Sequence, residues 1–173
     1  MPPSSDAKGR VVCTGFAPHG GLPNQSAIQI EANSSGVAGE KFRHPKIHGG
    51  RDKALLLVSL EVLDQLAYEG FPVEPLSLGE NVTVEGIDFA ALRPGMLLRI
   101  GEVTVRLTTV RGPCKALDRY SAELPGRIYD RRVKSGDHSS PVWAWSGFYA
   151  AVEKPGIIRP GDAVEIGLNL TPD

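Results

Sequence analysis

Cys114 is the residue in this sequence best placed for chemistry. It sits in Arg111-Gly112-Pro113-Cys114-Lys115, directly after an alternating apolar stretch from Val103 to Thr109. Functional groups concentrate on loops at strand ends, where a rigid sheet holds them. Gly112 permits a close approach of backbone to a ligand. Pro113 fixes φ and so holds the following side chain in one direction. Arg111 and Lys115 flank the thiol, and positive charge favours thiolate, which is both the nucleophile and the soft metal ligand. The plainer alternative is a buried structural cysteine. For Cys13, which lies between Val11 and Thr14 in an apolar stretch, the packing role is the expected one.

A second constellation is His48-Gly49-Gly50-Arg51-Asp52-Lys53. Two glycines between a histidine and two cations make a basic loop of the kind that holds phosphate or another oxyanion; a solvated turn is the alternative. A third is Gly79-Glu80-Asn81, where the Asn81 amide offers donor and acceptor together. A fourth, Arg127, Arg131, Arg132 and Lys134, reads as an anion-binding face or a solvated helix face. The sequence has no GxGxxG after a strand, no P-loop, no HExxH and no GxSxG. His44 with His48, or Cys13 with His19, falls short of the three or four ligands a zinc site needs.

Short elements must position these groups. Arg10 to Gly15, Ala27 to Glu31, Ala54 to Val58, Val82 to Val84, Met96 to Ile100, Val103 to Thr109, Val142 to Val152 and Ala163 to Ile166 read as strands. The long aromatic stretch from Val142 places Trp143 and Trp145 on one strand face, as core or barrel filling. The helix signal is strongest from Glu61 to Glu69, with Ser59 as N-cap and Gly70 as stop. Lys115 to Tyr120 suits a helical turn, and Gly126 to Lys134 a further helix. With 20 Gly and 14 Pro among 173 residues, few helices exceed three turns. The fold expected is mainly β: a closed or nearly closed β-barrel of short strands with one or two short helices. One domain spans 1–173, with 1–9 a frayed start.

Composition narrows the partners. Lys plus Arg total 19 against 20 Asp plus Glu, a net charge of −1, so no global basic field is available for nucleic acid or an anionic membrane. No apolar run approaches the roughly 18 residues that span a bilayer. The first eight residues lack the apolar core of a signal peptide. A cytoplasmic location follows as the expectation, with both cysteines as thiols. An anionic ligand would have to be held by a local cluster of cations.

The ordered set His48-Gly-Gly-Arg-Asp52-Lys-Ala-Leu55, Gly79-Glu-Asn81, Arg111-Gly-Pro-Cys114, Gly147-Phe-Tyr-Ala, Pro155-Gly156 and Gly161-Asp162 resembles the MOSC domain. That domain forms the C-terminus of molybdenum cofactor sulfurases and also stands alone in bacterial proteins. The resemblance runs from about Lys46 to Gly167. It implies a closed barrel, with Cys114 as the family's functional cysteine. In members that bind the molybdenum cofactor (Mo-molybdopterin), such as the amidoxime-reducing enzymes, that cysteine ligates molybdenum and supports reduction of N-hydroxylated compounds. A sulfur-carrier role, with the cysteine held as a persulfide, has also been proposed for the family.

The 173 residues carry neither the extra β domain of the mammalian-type reducing enzymes nor the four cysteines of a plant-type ferredoxin domain. A reductase reading therefore expects an external electron donor. The leading expectation is a molybdenum-dependent oxidoreductase acting on a small-molecule N-hydroxylated substrate. Cys114 is its metal ligand. His48, Arg51, Lys53 and Arg111 hold the pterin phosphate, and Asn81 bonds nearby. The rivals are a sulfur transferase that receives sulfur on Cys114 from a cysteine desulfurase, and a non-catalytic binding module.

Overall fold

The computed structural model describes residues 8–41 and 49–167. Its elements in chain order are β1 (Lys8–Phe16), β2 (Gln25–Ala27), β3 (Ile30–Asn33), β4 (Gly36–Val37), β5 (Leu55–Ser59), α1 (Leu60–Tyr68), β6 (Val82–Glu85), β7 (Leu97–Ile100) and β8 (Val103–Val110). Then follow α2 (Leu124–Ile128), α3 (Arg131–Lys134), β9 (Phe148–Lys154), β10 (Gly156–Ile158) and β11 (Ala163–Gly167). Among the described residues no helix is long and apolar enough to cross a membrane.

Seven strands close into a barrel in the order β11-β7-β8-β9-β5-β6-β1, with β1 pairing back onto β11. Closure removes the exposed edges that an open sheet of short strands would present. The register at the seam is Lys8↔Glu165, Gly9↔Val164 and Arg10↔Ala163. A side chain at Gly9 would sit 2.5 Å from the Glu85 carbonyl and 2.6 Å from Ile87, so only glycine allows β1 to lie this close to its neighbour. Lys8 and Gly9, expected as part of a frayed start, are thus already barrel strand. β2 continues from the far end of β1, and a second sheet, β10-β3-β4, packs beside the barrel.

Residue patterns explain the strands. In β8, Val103, Val105 and Leu107 are fully buried while Arg106 and Thr108 face outward, the period of two expected from sequence. In β5 all five residues are buried. Leu55 and Leu57 fill the barrel, whereas Leu56 and Val58 join a second apolar cluster with Leu63 and Leu66 of α1. The continuous apolar run is the mark of a strand covered on both faces. β5 and β6 are parallel because α1 carries the chain back over the outer face between them. Ser59 caps α1, its hydroxyl accepting from the Val62 N–H, and Gly70 follows with φ of 98°.

Two expectations need correcting. The aromatic stretch from Val142 is not one strand: β9 starts at Phe148, and the preceding residues form a turn. Ala144 adopts φ of 62°, and the Trp143 indole donates to the Leu92 carbonyl at 2.9 Å. The alternation of aromatics there reflects successive packing in a tight turn. The segment Ala27 to Glu31 is split, its two ends joining different sheets as β2 and β3. Among the described residues the α-helices are few and short, as expected: α1 of nine residues, and two pieces separated at Tyr129 and Asp130 within the stretch read as one helix.

Candidate functional site

The strand registers bring the motifs to one end of the barrel. Leu57 of β5 pairs with both Val82 and Phe148. Val82 also pairs with Thr14, near the end of β1, and Phe148 with Val110, the last residue of β8. The ends of β1 and β8 and the starts of β6 and β9 therefore meet. On the outer face of this wall, beside Leu56 and Tyr149, lies a cavity of about 430 Å³. Lys41, Lys53, Arg111, Cys114 and Lys115 line it, together with Glu40, Asn81 and Tyr149.

Arg111 is the most constrained of these side chains. Its backbone N–H donates to the Gly147 carbonyl at 2.9 Å, and the Ser146 hydroxyl donates to its carbonyl. The turn that holds it depends on glycine. Gly147 has φ of 100°, and a side chain there would meet the Leu57 carbonyl at 2.7 Å. So clamped, the guanidinium is buried, and Nη2 donates to Cys114 Sγ at 3.5 Å. Nε and Nη1 are out of solvent contact and have no hydrogen-bond acceptor among the described residues. A buried cationic N–H without an acceptor is costly, and such groups mark a role beyond packing.

Cys114 caps a short 3-10 turn, Lys115–Arg119, anchored by the fully buried Leu117. Its thiol is half-buried and free of any disulfide. Gly112 is exposed, and a side chain there would meet only the Tyr129 hydroxyl, at 4.0 Å, so protein packing does not require glycine at this position. Among the described residues no three His, Cys, Asp or Glu side chains converge.

Asn81 lies in the cavity wall as a strut. Its Oδ1 accepts from the Leu56 N–H at 3.0 Å, and Nδ2 donates to the Gly15 carbonyl at 3.2 Å and to Glu40 Oε2 at 2.8 Å. Both amide hydrogens are spent within the protein, which ties β1, β5 and residue 40 together. Lys53 lines the cavity with its ammonium 5.2 Å from the Tyr149 ring centre, a cation–π contact. Arg51 is exposed and lies outside the cavity lining. His48 lies outside the described residues. Arg127 pairs with Glu69 at 2.6 Å and stacks on Trp145 at 4.4 Å, while Arg131, Arg132 and Lys134 are exposed, and none of the four lines the cavity.

Three further groups were not singled out from sequence. Burial pushes the Tyr149 phenol up, against the nearby Arg111 charge. Glu40 is carried up to about 7 by burial, partly offset by its bonds from Asn81 and the Ala17 N–H. Glu80, fully buried behind the wall, is also carried up to about 7 by burial, opposed by hydrogen bonds and the Arg111 charge. Its oxygens accept from the Leu78 N–H at 3.1 Å and the Thr83 hydroxyl at 3.3 Å. Cys13, expected to pack, is half-buried beside a β-bulge and outside the core clusters; burial and Glu80 push its thiol up.

A family model of the MOSC domain matches residues 44–165, and the chain belongs to that family. It is 30% identical over 122 residues to the uncharacterized protein YflK of Bacillus subtilis, a match covering 69% of this chain. The chain spans about half (50%) of that relative's length. The fold is similar to YuaD from Bacillus subtilis, with a TM-score of 0.68 and 18% identity over 92% of this chain and 95% of the other. It is also similar to YiiM from Geobacillus stearothermophilus, with a TM-score of 0.68 and 20% identity over 92% and 75% of the two chains.

Proposed function

We propose that this protein binds the molybdenum cofactor and reduces small N-hydroxylated compounds with electrons from an external donor, in the cytoplasm. The observation that carries the reading is Arg111. Two of its guanidinium nitrogens are buried without an acceptor among the described residues, beside Cys114 at a cavity lined by three lysines. An anionic ligand in that cavity would balance the Arg111 charge, and guanidinium and ammonium groups are the usual partners of phosphate. A thiolate suits a soft transition metal, and a ligand that supplies the remaining metal donors suits a site with one cysteine. The volume lies in the range of about 300–1,000 Å³ usual for cofactor sites.

In this reading Cys114 holds the metal, while Arg111 and Lys53 hold the anionic end of the pterin. Asn81 keeps the wall in place. His48 and Arg51 stand as candidates on charge alone. When bound, the cofactor supplies a metal centre that passes electrons to the substrate; the chain's own residues bind, orient and shield it. Molybdenum and pterin analysis of protein from a cofactor-competent host tests the reading. Both present, with molybdenum lost in Cys114→Ala, is the expected result. Neither present overturns it.

The half-exposed Cys114 thiol favours one other reading, a sulfur carrier. Incubation with a cysteine desulfurase and cysteine would then add about 32 Da, one sulfur atom, to Cys114. No added mass counts against that role.

A further inference from the structure

We infer that Glu40 is the proton donor of this cavity, delivering its proton from Oε1 to the oxygen that leaves an N-hydroxylated substrate. The inference rests on the reductase reading above and deepens it. Glu40 precedes the family-matched residues 44–165, so the acid is supplied by the chain's own N-terminal segment.

Geometry fixes which oxygen carries the proton. Glu40 Oε2 accepts from Asn81 Nδ2 at 2.8 Å and from the Ala17 N–H at 3.4 Å. Both of its lone pairs are engaged, so a proton on this carboxyl resides on Oε1. No described residue donates to Oε1, and the side chain lines the cavity. Asn81 is itself fixed by the Leu56 N–H and the Gly15 carbonyl, so the carboxyl is held in one orientation. Burial keeps part of the population protonated near neutral pH, where a general acid works best. The charged and titratable groups lining the cavity around it are Lys41 beside it in sequence, Lys53 before β5, Arg111, Cys114 and Lys115 after β8, and Tyr149 on β9.

The reaction balances as R₂N–OH plus two electrons and two protons giving R₂NH and water. The N–O bond breaks with its electron pair on oxygen, and that oxygen takes the Glu40 proton and leaves as water. Nitrogen receives two electrons originating in a reduced flavin or iron–sulfur protein, and a proton from solvent. Glu40 then regains its proton from solvent. The acid form is required, so turnover is full below the Glu40 titration and falls as pH rises through about 7. Glu80 has a similar value, but it lies behind the wall and outside the cavity lining, so substitution at 40 separates the two.

Glu40→Gln is the test. Its carbonyl can keep the Asn81 and Ala17 bonds, and its NH₂ can replace the Oε1 hydrogen bond without an acidic proton. Wild type, Glu40→Gln and Glu40→Asp are purified from a cofactor-competent host, and benzamidoxime reduction by dithionite-reduced viologen is followed against pH. Infrared spectra of the same proteins without substrate report the protonated carboxyl. The expected result is equal molybdenum in all three and a fall in kcat of at least about 100-fold for Glu40→Gln. The neutral pH limb is lost with it, activity is partly rescued in Glu40→Asp, and a protonated carboxyl band missing from Glu40→Gln fades as pH rises. A Glu40→Gln protein with wild-type rate and pH limb, or a Glu40 carboxyl already ionised at mildly acid pH, overturns the inference alone. Wild-type protein without molybdenum overturns the underlying reading and the inference together.

Discussion

Arg111 Nη2 donates to Cys114 Sγ across 3.5 Å, while the other two nitrogens of the same guanidinium are buried with no acceptor among the described residues. The Ser146 hydroxyl donates to the Arg111 carbonyl and the Gly147 carbonyl accepts from the Arg111 N–H, which holds the arginine backbone in place while two of its side-chain nitrogens go without a described acceptor. Packing alone gives no reason for that arrangement; a bound anion does.

Arg111→Met separates the two demands. Methionine of similar length removes the unpaired buried donors, so the apoprotein should unfold within about 1 kcal/mol of wild type, or be more stable. Bound cofactor should fall sharply. Denaturant unfolding and metal analysis of one preparation check both. A badly destabilised variant that still holds full cofactor would contradict the role given to Arg111.

Glu80 sets a pH dependence of stability. Its folded value is raised from 4.5 to about 7 by burial. The folded state therefore holds a proton the unfolded chain has lost, and stability falls as pH rises between those two values, then levels off. The size is about 3 kcal/mol for a fully buried carboxyl with this shift. Glu80→Gln mimics the neutral acid and should flatten most of the fall. Glu40 contributes in the same direction, so a residual slope is expected. Equal slopes in wild type and Glu80→Gln would remove Glu80 from this role.

Asn81→Ala cuts the strut between β1, β5 and Glu40. It leaves the buried Leu56 N–H without its acceptor, at a cost of about 3 kcal/mol with the lost bonds. Urea unfolding of the apoprotein measures it. A loss under about 0.5 kcal/mol would contradict the role of Asn81 as a strut.

The β5–α1 unit and β8 were readable from periodicity, because each buries a regular set of side chains and Ser59 caps the helix. Cys114 was readable from its place after β8. Lys53 and Arg111 were legible as charge beside glycine, and the fold does bring them to one cavity. Periodicity failed between Val142 and Ser146, where Ala144 at φ of 62° makes a turn that still packs its aromatics. Glu40 was not legible at all. It lies in a Ser-, Gly- and charge-rich loop, and its partner Asn81 is 41 residues away, so only tertiary pairing reveals it.

Metal analysis of wild type and Cys114→Ala, produced side by side in a cofactor-competent host, bears most directly on the assignment of Cys114 as the metal ligand. The expected result is near-stoichiometric molybdenum with pterin in wild type and loss of molybdenum in the variant. Equal molybdenum in both proteins, or none in wild type, would contradict it.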